Sequence, residues 1–449
     1  MGGGSARLKL SRYVVTSPRL SHGSSAQRRV LLSTRDTRPV TVSESVWVAL
    51  NDGELDKLPS QVTGTLVDTG VLVDGGEDEL SSVLAENTAA IASSDVLRHV
   101  IQPTAACQLG CDYCGQEHFP RQLSLPDQDR LVDRLDRRLR LGGYSELSIS
   151  WFGAEPLLGL RTMRRLSPRL IALADRHRVR YSSKIVTNGL LLSRARAREI
   201  EGGHSVSAAE ITLDGPREVH DARRHVKNGR PSFDQIMRNL VEIAEEPDIL
   251  LELSIRCNVD RRNVDTVDDL IDDLADRGLQ RRVSFQVASV YSWGNRADQL
   301  SLPGSEFADR EIEWFARMYN RGFALDLLPR RQSIVCLAVR RHGEVTDALG
   351  NVFNCTEAPY VPAYGDPNRL MIGTLEDREP RGSVPFGAFN DEIGAGDHLS
   401  CQRCAMLPAC GGACPKQWSE GNTPCPPAKT NIGERLALWY ASKHDGWAS

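Results

Sequence analysis

The sequence predicts an α/β protein built around a partial (β/α)6 TIM-like barrel, and three observations carry that expectation. Between residues 97 and 290, six short apolar runs rich in β-branched residues alternate with amphipathic helical segments, the pattern of βαβ units and a parallel sheet. Six units stand where a closed barrel has eight, so the barrel is partial. On either side the pattern changes: residues 1–96 contain no cysteine, whereas residues 336–425 lose regular periodicity and hold seven of the eleven cysteines.

In the first block, RYVVTS (12–17) and RRVLLST (28–34) read as strands. VSESVWVALNDG (42–53) and PSQVTGTLVDTG (59–70) read as short helices, each closed by the glycine that helix C-termini favour. The apolar VLV (71–73) and an acidic helix at 78–94 complete it. The barrel strands are VLRHVIQPT (96–104), LSISWF (147–152), SSKIVT (182–187), AEITLD (209–214), LLELSIRCNV (250–259) and RVSFQVASV (282–290). Helical patterns fall at 128–141, 163–177, 233–244 and 266–278, with a further helix at 305–325. The cysteine-rich segment, with raised Gly and Pro, is expected to rely on metal ligation for its structure. A short helical tail (434–444) ends the pattern.

Bulk properties exclude several classes. Hydrophobic residues make up 40% and charged residues 25% of the 449, an ordinary globular balance. A net charge of -4 gives no nucleic-acid-binding surface. No run of about 18 apolar residues suggests a membrane span. The start MGGGSARLKL lacks the apolar core of a signal peptide and reads as a flexible leader or an expression remnant, so a cytoplasmic protein is expected. An odd cysteine count in tight clusters, without an export signal, favours metal ligation over disulfides.

Functional residues of such a barrel gather beyond the C-terminal ends of its strands. Cys107, Cys111 and Cys114, spaced C-x3-C-x2-C, begin three residues past the first predicted strand. Three thiolates can hold a four-iron cluster by three corners, leaving one iron for a non-protein ligand, whereas such sites normally take four cysteines. Cys107, Cys111, Cys114 and His118 also fit a Cys3His zinc site.

The loop, with Tyr113 before its last cysteine, resembles the radical S-adenosylmethionine (SAM) enzymes, and the resemblance continues in order. WFGAEPLL (151–158) resembles the family's Gly-Gly-Glu-Pro stretch, with Ala154 in place of the second glycine. It implies that Gly153, Ala154 and Glu155 contact the SAM amino group. TNG (187–189), containing Asn188, ends the third strand. TLDGPREVHDARR (212–224) resembles a stretch common in peptide-modifying members through Asp214, Gly215, His220, Asp221 and Arg224, although His220 and Asp221 also suit a structural turn. IRCNVDRRN (255–263) follows, and Arg224 and Arg256 are the candidates for the SAM carboxylate. The family mechanism so implied is reductive cleavage of SAM to a 5′-deoxyadenosyl radical that abstracts a substrate hydrogen, the cofactor carrying the chemistry and the protein its positioning.

Cys336, Gly350 and Cys355, then Cys401-x2-Cys404-x5-Cys410-x3-Cys414 and Cys425, resemble the SPASM extension of these enzymes. The resemblance implies two auxiliary four-iron clusters, three clusters in all. Cys336, Cys355 and Cys414 would hold the inner auxiliary cluster, which then lacks an evident fourth thiolate. Cys401, Cys404, Cys410 and Cys425 would hold the outer one. Zinc ribbons remain the rival for the C-x2-C pair, and Cys257, on a strand, reads as a buried core cysteine.

The resemblance gives the N-terminal block a role as a winged-helix-like peptide-recognition (RRE-like) element, holding a precursor's leader by strand addition. The expected organisation is therefore 1–96 peptide recognition, 97–325 barrel, 326–435 SPASM domain and 436–449 tail. The expected function is a maturase that crosslinks a ribosomally made peptide by a carbon–carbon, ether or thioether bond, reduced by a flavodoxin- or ferredoxin-type partner. An anaerobic sulfatase maturase is the alternative, but that group typically carries Asp after the cysteine where Thr356 and then Glu357 follow Cys355. A zinc-stabilised binding protein without catalysis is the alternative of another class. Tyr291, Asp214, Glu117 and Gln286 are the barrel-mouth candidates for a catalytic base.

Overall fold

Strand–helix alternation in the middle of the chain becomes a parallel sheet, and the flanking segments complete it. The structure, a computed structural model, describes residues 7–21, 27–381 and 384–444. The glycine-rich start and the end of the expected tail lie outside the described residues. Among those described, no helix is long and apolar enough to cross a membrane.

The N-terminal block opens with β1 (Leu8–Leu10), β2 (Val14–Thr16), β3 (Arg28–Ser33) and β4 (Pro39–Ser43). β2, β3 and β4 form an antiparallel sheet in that order, and β1 pairs with β5 (Leu72–Asp74). α1 (Glu44–Asn51) starts where Ser43 Oγ accepts the Val46 N–H, and α3 (Glu79–Ala92) where Asp78 accepts that of Ser81. Both are side-chain N-caps that satisfy otherwise orphaned amides. α2 (Ser60–Asp68) lies between them. Alternation along β3 serves two cores. Leu31 packs with Val42, Leu50 and Leu66, while Val30 and Leu32 pack with Met406, Ile432 and Leu436 near the C-terminus. Thr34 Oγ1 also donates to the Ala405 carbonyl (2.5 Å), so this block docks on the cysteine-rich segment.

The barrel strands are β6 (Val96–Ile101), β7 (Glu146–Trp151), β8 (Arg180–Thr187), β9 (Val206–Thr212), β10 (Glu252–Val259) and β11 (Val283–Ser289). Each is parallel to the next. They are covered by α4 (Leu125–Arg140), α5 (Leu160–His177), α6 (Arg194–His204), α7 (Arg217–Arg223), α8 (Phe233–Ala244) and α9 (Val267–Asp276), with α10 (Gly304–Asn320) after β11. Leu131, Leu135 and Leu139 recur every fourth residue along α4 and meet Trp151, Ile185 and Ile211 in one core. α6 and α7 were not expected from the sequence. α6 buries only Ala197, Ile200 and His204, too thin a stripe to show as a period.

The cysteine-rich segment is more regular than expected. β12 (Glu344–Thr346), β13 (Asn351–Phe353) and β14 (Met371–Thr374) extend the barrel sheet to nine strands in the order β11-β10-β9-β8-β7-β6-β12-β13-β14. β12 runs parallel to β6, with Val345 opposite Val100. Strands of three or four residues are too short to show alternation. Short helices α11 (Phe389–Ala395), α12 (Leu399–Gln402), α13 (Leu407–Cys410) and α14 (Pro415–Ser419) carry or flank the last cysteines. α15 (Ala428–Lys443) is longer than its expected apolar pattern, with a break at Asn431 whose amide donates to Ala308 O and Glu311.

Candidate active site

The first cysteine loop leaves the C-terminal end of β6 and is held against the barrel mouth by Tyr113. Tyr113 Oη donates to Asp214 Oδ2 (2.6 Å), accepts from Asn258 Nδ2 (3.1 Å) and accepts from Arg224. The Arg223 guanidinium lies over its ring at 5.2 Å. Asp214 also accepts the Asn258 N–H, so its carboxylate is fully enclosed and committed to anchoring. These contacts leave Cys107, Cys111 and Cys114 around a cavity of about 140 Å³ with Gly153, Ala154, Asn188, Thr212 and Arg224.

Burial pushes the Cys107 thiol up to about 11 and that of Cys111 up to about 12. Against it, backbone N–H groups are turned on sulfur: Leu109 on Cys107 and Gln116 on Cys114. Asn188 Nδ2 lies 3.9 Å from Cys107 Sγ. Oriented donors around buried thiols suit thiolates whose charge is compensated by metal. Three thiols around one cavity fit three corners of a multi-iron cluster. His118 lines the same cavity, its imidazole lowered to about 4 by burial and then by Lys227.

The strand-end stretches converge on the same cavity. Gly153 has φ +81°, and a Cβ there would collide with the Gln102 side chain. Ala154 takes φ +43°, a left-handed conformation that glycine adopts without strain. Glu155 is wholly buried and accepts from Leu157 N (2.9 Å), Thr187 Oγ1 (2.7 Å) and Asn188 N (2.8 Å). Its carboxyl, raised by burial, therefore ties the β7 loop to the β8 loop, while Gly153, Ala154 and Asn188 are the ones lining the cavity. Arg224 also lines it, and its Nε has no hydrogen-bond partner among the described residues.

A larger cavity of about 500 Å³ occupies the barrel interior and shares Tyr113, Phe152, Val186 and Thr212 with the first. Arg256, Tyr291 and Glu357 line it. Arg256 Nε donates to Asn258 Oδ1 (2.9 Å), and Tyr291 Oη donates to Glu357 (3.4 Å). Burial pushes the Glu357 carboxyl up to about 7 against the pull of Arg256 and Lys416. Gln286 is paired with Glu210 (3.1 Å). Glu117 does not face this interior. Its N–H is drawn to the Tyr360 carbonyl, and its side chain lines a separate cavity of about 450 Å³ with Asp347 and Tyr360.

The seven cysteines of the C-terminal segment fall into two neighbourhoods. Cys401, Cys404, Cys410 and Cys425 line one small cavity, where Gly412 N–H faces Cys410 sulfur and Lys429 Nζ lies 3.3 Å from Cys425 Sγ. Cys336, Cys355 and Cys414 form the second. Burial raises all three thiols; the charge of Cys414 adds to it at Cys336, that of Glu357 and then of Cys414 and Cys336 at Cys355, and that of Glu357 at Cys414. Ala338 and Val339 N–H groups face Cys336, Glu357 N–H faces Cys355, and Lys416 and Gln417 N–H groups face Cys414. Cys257 is wholly buried in the barrel core. His220 is likewise enclosed, accepting the Asp214 N–H at Nδ1 and meeting Ser232 at Nε2, while Asp221 accepts the Ser232 and Phe233 N–H groups at the start of α8. Glu357 and Lys416 were not assigned roles from the sequence. Their only signal was a position two residues after a cysteine.

Residues 101–246, within the barrel, match the model of the radical SAM superfamily. A serine-type anaerobic sulfatase-maturating enzyme of Bacteroides thetaiotaomicron is 25% identical over 354 residues, 71% of this chain and 82% of that protein. An uncharacterized protein of Synechocystis sp. is 28% identical over 149 residues, 31% of this chain, and the match spans only 36% of that relative's length. The solved structure of native anSMEcpe with bound AdoMet and Kp18Cys peptide superposes with a TM-score of 0.54 at 17% identity, covering 78% of this chain and 97% of that one. At that identity the likeness is one of fold.

Proposed function

We propose that this chain is a radical SAM peptide maturase. Cys107, Cys111 and Cys114 would hold a four-iron cluster, which would supply the electron for reductive cleavage of SAM. The chain's own residues position the reactants: Gly153, Ala154 and Asn188 line the cavity SAM would enter, and Arg224 offers an unpaired Nε to its carboxylate. Glu155 fixes the two loops that carry them.

The observation carrying the reading is that the cavity at the three-cysteine loop adjoins the larger barrel cavity through shared walls at Tyr113, Phe152, Val186 and Thr212, and that Thr356 and Glu357 beside Cys355 line the larger one. A cavity of about 500 Å³ has room for a substrate side chain beside SAM. Cys336, Cys355 and Cys414 would hold an inner auxiliary cluster, and Cys401, Cys404, Cys410 and Cys425 an outer one, removing the second electron as a crosslink forms. The β2–β3–β4 sheet, with β2 and β4 as edges, would take the leader as an added strand. A reducing partner of flavodoxin or ferredoxin type would supply the first electron.

The sulfatase-maturating relative and the peptide bound in its structural neighbour support action on a polypeptide. They also sustain formylglycine formation as a second reading. Anaerobic reconstitution, then incubation with SAM, dithionite and candidate precursor peptides containing Ser or Cys, separates these readings. A two-hydrogen loss that tandem mass spectrometry places across two linked residues supports crosslinking, an aldehyde at a single Ser or Cys trapped by a hydrazine supports the second reading, and a colourless zinc protein overturns both.

A further inference from the structure

Lys416 is only 2% exposed, a costly place for an ammonium. Its Nζ lies 3.1 Å from a Glu420 carboxylate oxygen and 5.8, 5.6 and 5.6 Å from the ring centroids of Tyr291, Trp293 and Tyr364. Three ring faces replace the water that would otherwise solvate the charge. Tyr364 Oη in turn donates to Glu420 (3.1 Å), closing the cage.

The cage sits where the two halves of the molecule meet. Tyr291 and Trp293 are stacked at 5.9 Å with planes 6° apart, on the strap that follows β11. Trp293 closes on Gly115, beside Cys114, where any Cβ would collide with it. Asn295 Nδ2 on the same strap donates to the Tyr113 carbonyl (3.0 Å). On the other side, Lys416 follows Cys414 by two residues, and its own N–H faces the Cys414 sulfur. The outer cysteine set has a lysine too, but Lys429 lies beside the exposed Cys425, where solvent and salt screen it.

We propose that Lys416 is a fixed positive charge that raises the reduction potential of the inner iron–sulfur cluster, poising it to accept an electron. The inference rests on the reading that Cys336, Cys355 and Cys414 hold such a cluster. Potentials of these clusters follow local net charge and solvent exposure, and a charge sealed from water acts more strongly than one in solvent. The equilibrium concerned is uptake of one electron by the cluster, with no bond formed or broken. Dithionite supplies that electron in the assay.

The test uses the full chain, reconstituted anaerobically with iron and sulfide and titrated with dithionite under EPR. Lys416→Met keeps the volume and removes the charge. It is expected to lower one cluster's midpoint, changing its reduced-to-oxidised ratio at fixed poise about tenfold, which is ~59 mV for a one-electron couple. Lys416→Arg restores the midpoint, and Glu420→Gln, freeing the ammonium, moves the same midpoint upward. Midpoints unchanged from the parent at full iron content overturn the proposal. So does a shift of the same sign in Lys416→Met and Glu420→Gln, which disturbed packing would give. If Lys416→Met loses iron, the sign for Glu420→Gln decides. A parent chain that binds no iron fails the cluster reading first, in the iron analysis, and takes the proposal with it.

Discussion

Arg134→Met tests what holds the cysteine-rich segment to the barrel. Arg134 on α4 is 2% exposed and grips Glu344 on β12, itself 3% exposed, through Nε to Oε2 (2.7 Å) and Nη2 to Oε1 (2.8 Å). Its third nitrogen donates to the Asp377 carbonyl (2.7 Å). Burial pushes the Glu344 carboxyl up, but the bonds and charge of Arg134, with Arg138 adding to them, outweigh it and hold the group below the ordinary range. Removing one partner of such a pair leaves an uncompensated buried charge, typically 3–5 kcal/mol. Arg138, 3.5 Å from Glu344, remains as a partial partner, so the low end, about 3 kcal/mol, is expected.

Global unfolding of a chain with several cores is not two-state, so the loss is best read locally. Hydrogen exchange of the β6 and β12 amides should accelerate about a hundredfold, since each 1.4 kcal/mol is tenfold. Replacing both partners, Arg134→Met with Glu344→Met, should recover most of the protection, because an apolar pair leaves no charge unpaired. Parental protection in the single variant, or a double variant no better than the single, refutes the reasoning.

His99 carries a pH dependence with a definite sign. Burial lowers its imidazole to about 4, well under the 6.5 of the unfolded chain. The fold accepts the neutral ring, so its contribution is whole above pH 6.5 and is lost as pH falls from 6.5 towards 4, on the order of 3 kcal/mol. The β6–β12 junction should soften at pH 5 relative to pH 7, and His99→Gln should flatten that difference in proteolysis rates; an equal slope in both proteins contradicts the assignment. Ala154→Gly relieves a left-handed φ and should stabilise the loop by about 1 kcal/mol, seen as a raised melting temperature; a lower one speaks against strain at this residue. Glu155→Ala orphans three buried donors, each costing about 1–3 kcal/mol, and should weaken SAM binding to reconstituted protein by at least about tenfold with iron content held. Unaltered SAM affinity would show that the β7 and β8 loops need no such tie.

Much of this was legible because the barrel writes itself in two periods. All six strands were evident as β-branched runs, and Leu131, Leu135 and Leu139 marked the inner face of α4. The three-cysteine loop and the stretches after β7, β8 and β9 were legible as strings, and the fold brings them to one cavity. Roles within that cavity were less visible. Nothing in the sequence says that Glu155 turns towards Thr187 and Asn188, or that Glu117 is drawn away by Tyr360. The cage around Lys416 was hidden because its rings come from positions 291, 293 and 364, joined only by tertiary packing.

The junction at β6 also explains how cysteine-bearing loops so far apart in sequence keep a fixed separation. Six parallel strands that do not close leave an unpaired backbone edge, a liability unless something covers it. Here β12 covers it in a set register, Glu344 opposite His99 and Thr346 opposite Ile101, and Gln102 N–H donates to the Thr346 carbonyl (2.9 Å). The same β6 leads into Cys107, and the same hairpin leads from β12 through β13 to Cys355. The distance between the first cysteine loop and the inner cysteines is thus set by main-chain hydrogen bonds rather than by side-chain contacts. A slip of one residue would turn Val345 out of its cluster with Val100 and Phe353 and put a polar neighbour in its place. The buried Arg134–Glu344 pair guards that register, because Glu344 meets its cation only when β12 is aligned.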